Sequence, residues 1–318
     1  MIPTIETTRR CSVVIPTKNG GPLFKHAIEA LKKQSAWPQT ELIVIDSGST
    51  DGTVEISRAA GAKVVEIPPG EFNHGATRDL GIFIASCELV VLMVQDAVAD
   101  GPDLLEAILQ PFHDPEVAGV YARQKPQPDA DMLTKRNLNN WLTGRMDRED
   151  RKMESLEWYE SLPPIEKYFF CNFDNVCSAI RKSVWQEQKF GQMGFGEDID
   201  WAERVLRIGY KIVYEPAAVV IHSHDRSMSY EYKRTYVCHR KLYQQFKLHL
   251  VPSLKGVNRS WLYSTLQDAK YIGTQNAPIP AKVRLLAKVL FLNFLSAMAQ
   301  YRAGRDEAAG SQRKVAGV

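Results

Sequence analysis

Short apolar runs alternate with helix-periodic segments over the first 122 residues, and this alternation restricts the fold more than any other feature. Residues 12–15, 42–45, 63–67 and 88–94 contain runs of Val, Ile and Leu, which predict strands. Repeated strand–helix–strand units join parallel strands through right-handed crossovers. We therefore predict an α/β chain with a mostly parallel sheet flanked by helices.

Polar residues follow the first two of these strands directly. Pro-Thr-Lys-Asn-Gly-Gly occupies residues 16–21, and Asp-Ser-Gly-Ser-Thr-Asp-Gly-Thr occupies residues 46–53. In open α/β sheets ligands bind at the carboxyl edge of the strands, where both loops would lie. The pair of loops favours a nucleotide pocket over two ordinary turns whose Asp and Ser residues cap helices.

Asp96 ends the fourth strand of the alternating region and is expected at the same edge as Asp46. Hard divalent cations bind oxygen ligands and hold diphosphates through one or two carboxylates. Asp96 is therefore a candidate ligand for such a cation, and the alternative is a carboxylate that caps the turn before Pro102.

Residues 194–201 form a second acidic segment, Gly-Phe-Gly-Glu-Asp-Ile-Asp-Trp, at the start of a helix predicted for residues 198–207. Acids at a helix N-terminus are favourable for dipole reasons alone. However, the two glycines allow close approach of a ligand, so Asp198 or Glu197 is a candidate general base.

Two further sets of residues are candidates for binding a metal ion or a phosphate. His222 and His224 lie two apart after a predicted strand, so their imidazoles point the same way and could bind a transition metal. Arg78, in a helix that Asn73 is expected to cap, could hold a phosphate in a bidentate manner. The alternatives are structural histidines and a surface ion pair of Arg78 with Asp79 or a neighbour.

The second half of the chain does not continue the regular alternation of strands and helices. Residues 124–164 are predicted to be an exposed, partly helical excursion, and short strands are predicted at residues 176–180, 211–214 and 218–221. Beyond residue 226 the pattern is only helical, with segments near residues 230–250, 259–272 and 281–302. We therefore expect a catalytic domain over residues 1–225 and a helical extension over residues 226–318.

The extension is basic whereas the body is acidic. It contains 16 Lys/Arg against 5 Asp/Glu from residue 225 onward, and residues 1–224 contain 24 against 32. Such a tail suits an anionic partner such as a phospholipid, a polyprenyl phosphate or a nucleic acid. The apolar segment at residues 283–298 is shorter than a bilayer span, which leaves a packed helix or an interfacial helix as interpretations.

Cysteine usage predicts the compartment. The five cysteines lack Cys-x-x-Cys spacing and are expected to be buried free thiols, which suits a reducing cytoplasm. Residues 1–10 contain two arginines but no apolar segment of signal-peptide length, so the sequence predicts no secretion signal.

These motifs together resemble the inverting glycosyltransferases of the GT-A fold, family 2. The resemblance covers about residues 11–224 and depends on residues 13–19, residues 45–53 and Gly196-Glu197-Asp198. It implies a Rossmann-like GT-A sheet, with Asp198 as the base. It also implies that the two strand-end loops hold the base and ribose of a nucleotide through the following residues: Pro16, Thr17, Asn19, Asp46 and Ser49.

The chain departs from that family at its metal motif, because the usual Asp-x-Asp is Val94-Gln95-Asp96 here. Residues 72–78, 95–97 and 222–224 resemble the rhamnosyltransferase branch. The resemblance then implies a diphosphate site with Mg²⁺ or Mn²⁺, formed by Arg78, Gln95, Asp96, His222 and His224.

The same branch implies dTDP-L-rhamnose as donor and a bacterial surface glycan, often linked to polyprenyl diphosphate, as acceptor. It suggests a cytoplasmic enzyme, with contact of the basic extension to the inner face of the membrane as an interpretation. The open alternatives are a transferase using a UDP-hexose or GDP-mannose, a nucleotidyltransferase, and a non-catalytic carbohydrate-binding module. A nucleic-acid partner is not expected, because two acidic sites oppose such a surface.

Overall fold

A computed structural model describes residues 10–224 and 227–310. In these residues a nine-stranded sheet has the order β3-β2-β1-β4-β8-β6-β9-β5, and β7 pairs with β9 at one side. The strands are β1 Cys11–Thr17, β2 Thr40–Asp46, β3 Lys63–Glu66, β4 Leu89–Met93, β5 Val98–Ala99, β6 Val117–Lys125, β7 Glu149–Lys152, β8 Cys177–Arg181 and β9 Lys211–Ile221.

Six of these strands point the same way, as the alternating pattern predicts. β1 pairs in parallel with β2 and β4, β2 with β3, and β6 with β9. β8 runs against both β4 and β6, and β5 and β7 run against β9. The mostly parallel α/β prediction is confirmed, with antiparallel insertions that the sequence pattern does not show.

The described chain separates into two compact units. The first comprises residues 10–130, 134–162 and 169–223 and contains the whole sheet. Its helices are α1 Gly21–Lys32, α2 Thr53–Ala59, α3 His74–Ile84, α4 Leu104–Leu109, α5 Met132–Asn139, α6 Leu156–Ser161, α8 Lys182–Glu187 and α9 Glu197–Arg207, although the start of α5 is assigned to the second unit. Most of α7 Pro164–Phe170 also belongs to the second unit. The division expected at residue 225 stays a prediction.

Apolar residues from one face of the sheet and from the helices that cover it form a core in the first unit. Val13, Val44 and Val91, from three adjacent parallel strands, are fully buried. α1 adds Phe24 and Leu31, whose spacing of seven residues places them on one helical face. This core fixes the strands, and therefore fixes which loops emerge together at their carboxyl ends.

Two parts of the first unit differ from the sequence prediction. Residues 211–214 and 218–221 were expected as two short strands, but both belong to one continuous strand, β9. The register of β9 against β6 shifts between residues 122 and 123 of β6. The excursion at residues 124–164 contains β7, whose Arg151 is buried and donates to the backbone oxygens of Phe169 and Phe170. A charged tetrapeptide, Glu-Asp-Arg-Lys, gives no alternation of apolar residues from which a strand could be predicted.

The second unit comprises residues 131–133, 163–168, 224 and 227–310, and three helices dominate it: α10 Met228–Phe246, α11 Leu254–Thr274 and α12 Ile279–Ala308. Ala299 and Ala303 of α12 pack on Tyr236 of α10. The Tyr236 hydroxyl donates to Asp306 at 2.8 Å. The three predicted helical segments are confirmed, with bounds that differ from the prediction by two to six residues.

Among the described residues, α12 alone is long and apolar enough to cross a membrane by length and composition, with a mean hydropathy of 1.3 in its most apolar window. Only 22% of that window is buried inside the protein. Buried core helices pass the same length and composition test, so this property is weak support for a membrane-spanning segment by itself.

Candidate active site

Asp46 ends β2 as a fully buried carboxylate that organises the loop behind it. Its Oδ2 accepts from the Thr17 hydroxyl at 2.8 Å and from the Ser49 hydroxyl at 2.5 Å. Its Oδ1 accepts from the backbone N–H groups of Gly48 and Ser49 at 2.9 and 2.8 Å. A carboxylate has about four acceptor positions, so these four bonds occupy the group.

Burial opposes ionisation of Asp46, but the hydrogen bonds from Ser49, Thr17 and Gly48 outweigh it and lower the pKa of this carboxyl. The group is therefore an ionised acceptor that fixes the loop geometry. Its contact with a nucleotide base, expected from the resemblance, stays a prediction.

Asn19 links the first loop to the second. It has a positive φ of 47°, which Asn tolerates better than most residues, and its N–H donates to the Ser49 hydroxyl at 2.7 Å. Its side-chain oxygen accepts from the N–H of Thr50 at 2.9 Å. On the other side, Gln95 binds the backbone of Lys18 in both directions, at 2.8 and 3.2 Å. The loops after β1, β2 and β4 therefore form one connected edge, with half-buried Pro16 on the strand that leads into it.

Asp96 and His222 face each other at this edge. Oδ1 of Asp96 lies 3.6 Å from Nε2 of His222, and both side chains are only slightly exposed. His224 follows two residues later along the same segment. The three residues offer one ligand atom each, and those atoms lie within 4.8 Å of one another.

A carboxylate oxygen with two imidazole nitrogens fits a divalent cation of the first transition row. Imidazole is a common ligand for such metals, and Mn²⁺ also accepts carboxylate oxygens. The separation of Asp96 from His222 exceeds the usual hydrogen-bond length, which is consistent with ligands arranged around an ion. The residues present therefore fit the metal that the resemblance implies.

Asp198 lies in the first turn of α9, behind Gly196, whose φ of 70° suits glycine. Burial raises the pKa of Asp198 to about 8, and the charges of Glu197 and Asp174 add to the effect. The N–H of Ile199 and the charge of Arg78 act in the opposite direction. A carboxyl group with a pKa near the working pH suits general acid–base chemistry.

α3 holds the loop that leads to Asp198. Arg78 and Glu197 form a buried ion pair at 2.9 Å, and Asp79 accepts from the backbone N–H groups of Phe190 and Gly191 at 3.0 and 2.8 Å. Gly75 has no room for a side chain there, because a Cβ atom would lie 2.2 Å from the oxygen of Gly191. As expected, Asn73 caps this helix.

The contacts of Arg78 distinguish its two interpretations in part, as a phosphate ligand or as a member of a surface ion pair. Its ion pair is buried and made with Glu197, so the surface pair with Asp79 is wrong. The phosphate-binding role of Arg78 stays a prediction, as do the roles expected for the other site residues.

Three residues that were not predicted from the sequence connect these parts of the site. Gln124 donates to Asp174 at 2.8 Å and faces Nδ1 of His222 at 3.1 Å, and the N–H of Asn175 lies 3.4 Å from Asp198. Asp174 and Asn175 come before β8, and a parallel strand would place them at the far edge. Because β8 is antiparallel, they reach the edge occupied by Asp96. The only available signal was an acid and an amide at a strand boundary.

The chain is similar to known glycosyltransferases. The family model for glycosyl transferase family 2 matches residues 12–185. The chain is 32% identical to the O-antigen chain rhamnosyltransferase RfbN of Salmonella typhimurium over 234 residues, which cover 71% of this chain and 70% of that protein. It is 33% identical to the O-antigen chain rhamnosyltransferase WbaN of Salmonella anatum over 232 residues, which cover 70% and 69%.

A solved structure shares the fold. The mannosyltransferase PcManGT from Pyrobaculum calidifontis, in complex with GDP-mannose and Mn²⁺, superposes with a TM-score of 0.52 at 19% identity, covering 96% of this chain and 76% of that one. The sheet and its carboxyl edge thus define a glycosyltransferase of the GT-A type. The chain belongs to glycosyltransferase family 2, which confirms the resemblance found in the motifs.

Proposed function

We propose that the chain is an inverting rhamnosyltransferase that transfers L-rhamnose from dTDP-L-rhamnose to a hydroxyl of a lipid-linked bacterial surface glycan. The main observation that supports this reaction is the raised pKa of the Asp198 carboxyl group. The donor and acceptor classes are suggested by the two O-antigen chain rhamnosyltransferases, which match about 70% of the chain.

In this mechanism the edge formed by the loops after β1 and β2 binds the base and ribose. Asp96, His222 and His224 would hold a divalent cation, Mg²⁺ or Mn²⁺, beside the diphosphate. When bound, the cation would neutralise charge on the leaving diphosphate. Asp198 accepts the proton of the acceptor hydroxyl, which attacks the anomeric carbon from the face opposite the diphosphate. One displacement breaks the sugar–phosphate bond, forms the new glycosidic bond and inverts the anomeric configuration.

A donor and acceptor assay tests this function. The purified chain is incubated with Mn²⁺ or Mg²⁺, a synthetic polyprenyl-diphosphate-linked glycan, and one of dTDP-L-rhamnose, UDP-glucose or GDP-mannose. Mass spectrometry is expected to detect transfer from dTDP-L-rhamnose, and NMR of the product to show inversion. Preferential transfer from UDP-glucose or GDP-mannose would replace the proposed donor, and retention of configuration would exclude the single displacement.

The proposed acceptor lies at a membrane, and the surface of α11 and α12 supports contact with one. On these two helices every exposed charged residue is a cation, namely Lys255, Arg259, Lys270, Arg284, Arg302 and Arg305. Their acids are buried or half-buried: Asp268 accepts from Asn293, Asp306 from Tyr236, and Glu307 from Arg240. Such a surface is electrostatically complementary to anionic lipid.

The same helices expose large apolar side chains between the cations. The exposed members are Leu254, Leu262, Tyr263, Leu266, Ile279, Val283, Leu290, Phe291 and Phe294. Phe291 is 64% exposed and Leu266 60%, so neither supports the core of the unit. An interfacial position, with apolar side chains in the acyl boundary and cations at the headgroups, is consistent with this pattern. We propose this surface as a peripheral contact with the inner face of the cytoplasmic membrane.

A double variant tests the contact without removing α12, whose deletion would expose Tyr236. We expect Leu266→Gln with Phe291→Gln to weaken binding to phosphatidylglycerol vesicles at least tenfold, because burying each large apolar side chain stabilises by about 1.5–3 kcal/mol. The measurement is vesicle co-sedimentation. Phe83→Gln, at a residue 70% exposed in α3, is the matched control. Equal binding by the double variant and the control would contradict the contact.

A further inference from the structure

Gln124 occupies a buried position between the two halves of the candidate site. It is the penultimate residue of β6, opposite Val220 of β9, and its side chain is 6% exposed. Its carboxamide lies between two partners: Nε2 is 2.8 Å from Oδ2 of Asp174, and Oε1 is 3.1 Å from Nδ1 of His222. No charge or motif in the sequence points to this residue.

The chemistry of Asp174 fixes the orientation of the amide. An ionised carboxylate only accepts hydrogen bonds, and the other oxygen of Asp174 already accepts from the N–H of Val176 at 2.8 Å. The amide must therefore present its NH₂ group to Asp174 and its oxygen to His222. The reverse orientation would place oxygen against oxygen on one side.

The amide orientation in turn fixes the proton on His222. An amide oxygen cannot donate, so Nδ1 of His222 must carry hydrogen to make the 3.1 Å contact. In neutral imidazole the other nitrogen, Nε2, is then an acceptor with a lone pair. Nε2 is the atom that lies 3.6 Å from the carboxylate of Asp96.

We propose that Gln124 is a positioning residue that holds His222 as the Nδ1–H tautomer, with the Nε2 lone pair directed toward Asp96. This inference rests on the proposed metal role of Asp96 and His222. Partners in a second layer around a metal commonly set the tautomer and ring orientation of a ligating histidine, and their loss weakens metal binding about 10–100-fold. Gln124 does this while anchored on Asp174, whose charge also acts on Asp198.

The tautomer can be measured directly in the metal-free, full-length protein. Nitrogen-15 NMR of histidine side chains distinguishes Nδ1–H from Nε2–H, and His222→Gln assigns the signal. We expect Nδ1–H in the wild type, and a shift toward Nε2–H in Gln124→Leu, which removes the acceptor at similar size. Gln127→Leu, two residues beyond the end of the same strand, is the matched control.

Calorimetric titration with Mn²⁺ alone provides the second readout. We expect Gln124→Leu to raise the Kd for Mn²⁺ about 10–100-fold, and Gln127→Leu to leave it unchanged. An Nε2–H tautomer in the wild type, or unchanged tautomer and Mn²⁺ affinity in Gln124→Leu, would overturn the role of Gln124. Absence of Mn²⁺ binding by the wild type would instead overturn the proposed metal site on which that role depends.

Discussion

Asp198→Asn is expected to lower the rate of sugar transfer about 10²–10⁴-fold, the usual contribution of a general base. The amide has nearly the size of the carboxyl group but cannot accept the proton of the acceptor hydroxyl. The loss should appear in kcat, while the affinity for dTDP measured by calorimetry stays close to wild type. Substantial turnover by the variant would assign proton removal to another group.

Stability measurements would show whether misfolding causes that loss. The pKa of Asp198 rises from an ordinary value of 3.8 to about 8 in the folded chain. Between these values the folded state binds a proton that the unfolded state lacks, so the contribution of this group to stability falls as pH rises. Asn has no such dependence, and we expect Asp198→Asn to be at least as stable as wild type at pH 8. A lower melting temperature for the variant at that pH would contradict this account of the carboxyl.

The same raised pKa predicts the pH profile of the wild-type enzyme. Only the ionised carboxylate accepts a proton, so kcat/KM should rise about tenfold per pH unit below 8 and level off above it. Asp174→Asn removes one of the charges that disfavour ionisation, and the rising limb should therefore move to lower pH. A limb that stays in place would show that Asp174 does not influence the base.

Strand direction determined which parts of the site could be predicted from the sequence. Thr17 and Asp46 end parallel strands and Asp96 follows one. The carboxyl ends of such strands meet at one edge, so the clustering of these residues was predictable. Asp174 approaches the same edge from the beginning of β8. An apolar run of five residues carries no information about its direction, so that contribution could not be derived from the pattern.

Residues whose proposed role depends on their neighbours in the folded chain also could not be predicted from the sequence. Gln124 is an ordinary residue of a strand, and only the pairing of β6 with β9 places it beside His222. The contact of Asp46 with a nucleotide stays a prediction, but the four hydrogen bonds that it accepts from Thr17, Gly48 and Ser49 could not be predicted from the motif. The motif predicts where a site lies, whereas the hydrogen bonds that order its loops depend on the folded backbone.

Asp96→Ala is expected to have the second large effect, because Asp96 is the only carboxylate of the candidate metal group. Stabilisation of a leaving diphosphate by a metal ion is worth several kcal/mol. Its loss corresponds to roughly a 10²–10³-fold decrease in the transfer rate, at about 1.4 kcal/mol for each factor of ten. We also expect the response of the rate to added Mn²⁺ to disappear.

The response to Mn²⁺ distinguishes loss of the metal from damage to the edge of the sheet. Asp100→Asn is the matched control, since Asp100 lies four residues away and pairs with Lys125 at 2.7 Å. That variant should keep the wild-type rate and Mn²⁺ response. If Asp96→Ala retained its dependence on Mn²⁺ with an unchanged half-saturating concentration, the cation would have to bind elsewhere. If both variants lost activity equally, the defect would belong to the loop after β4 and not to the carboxylate.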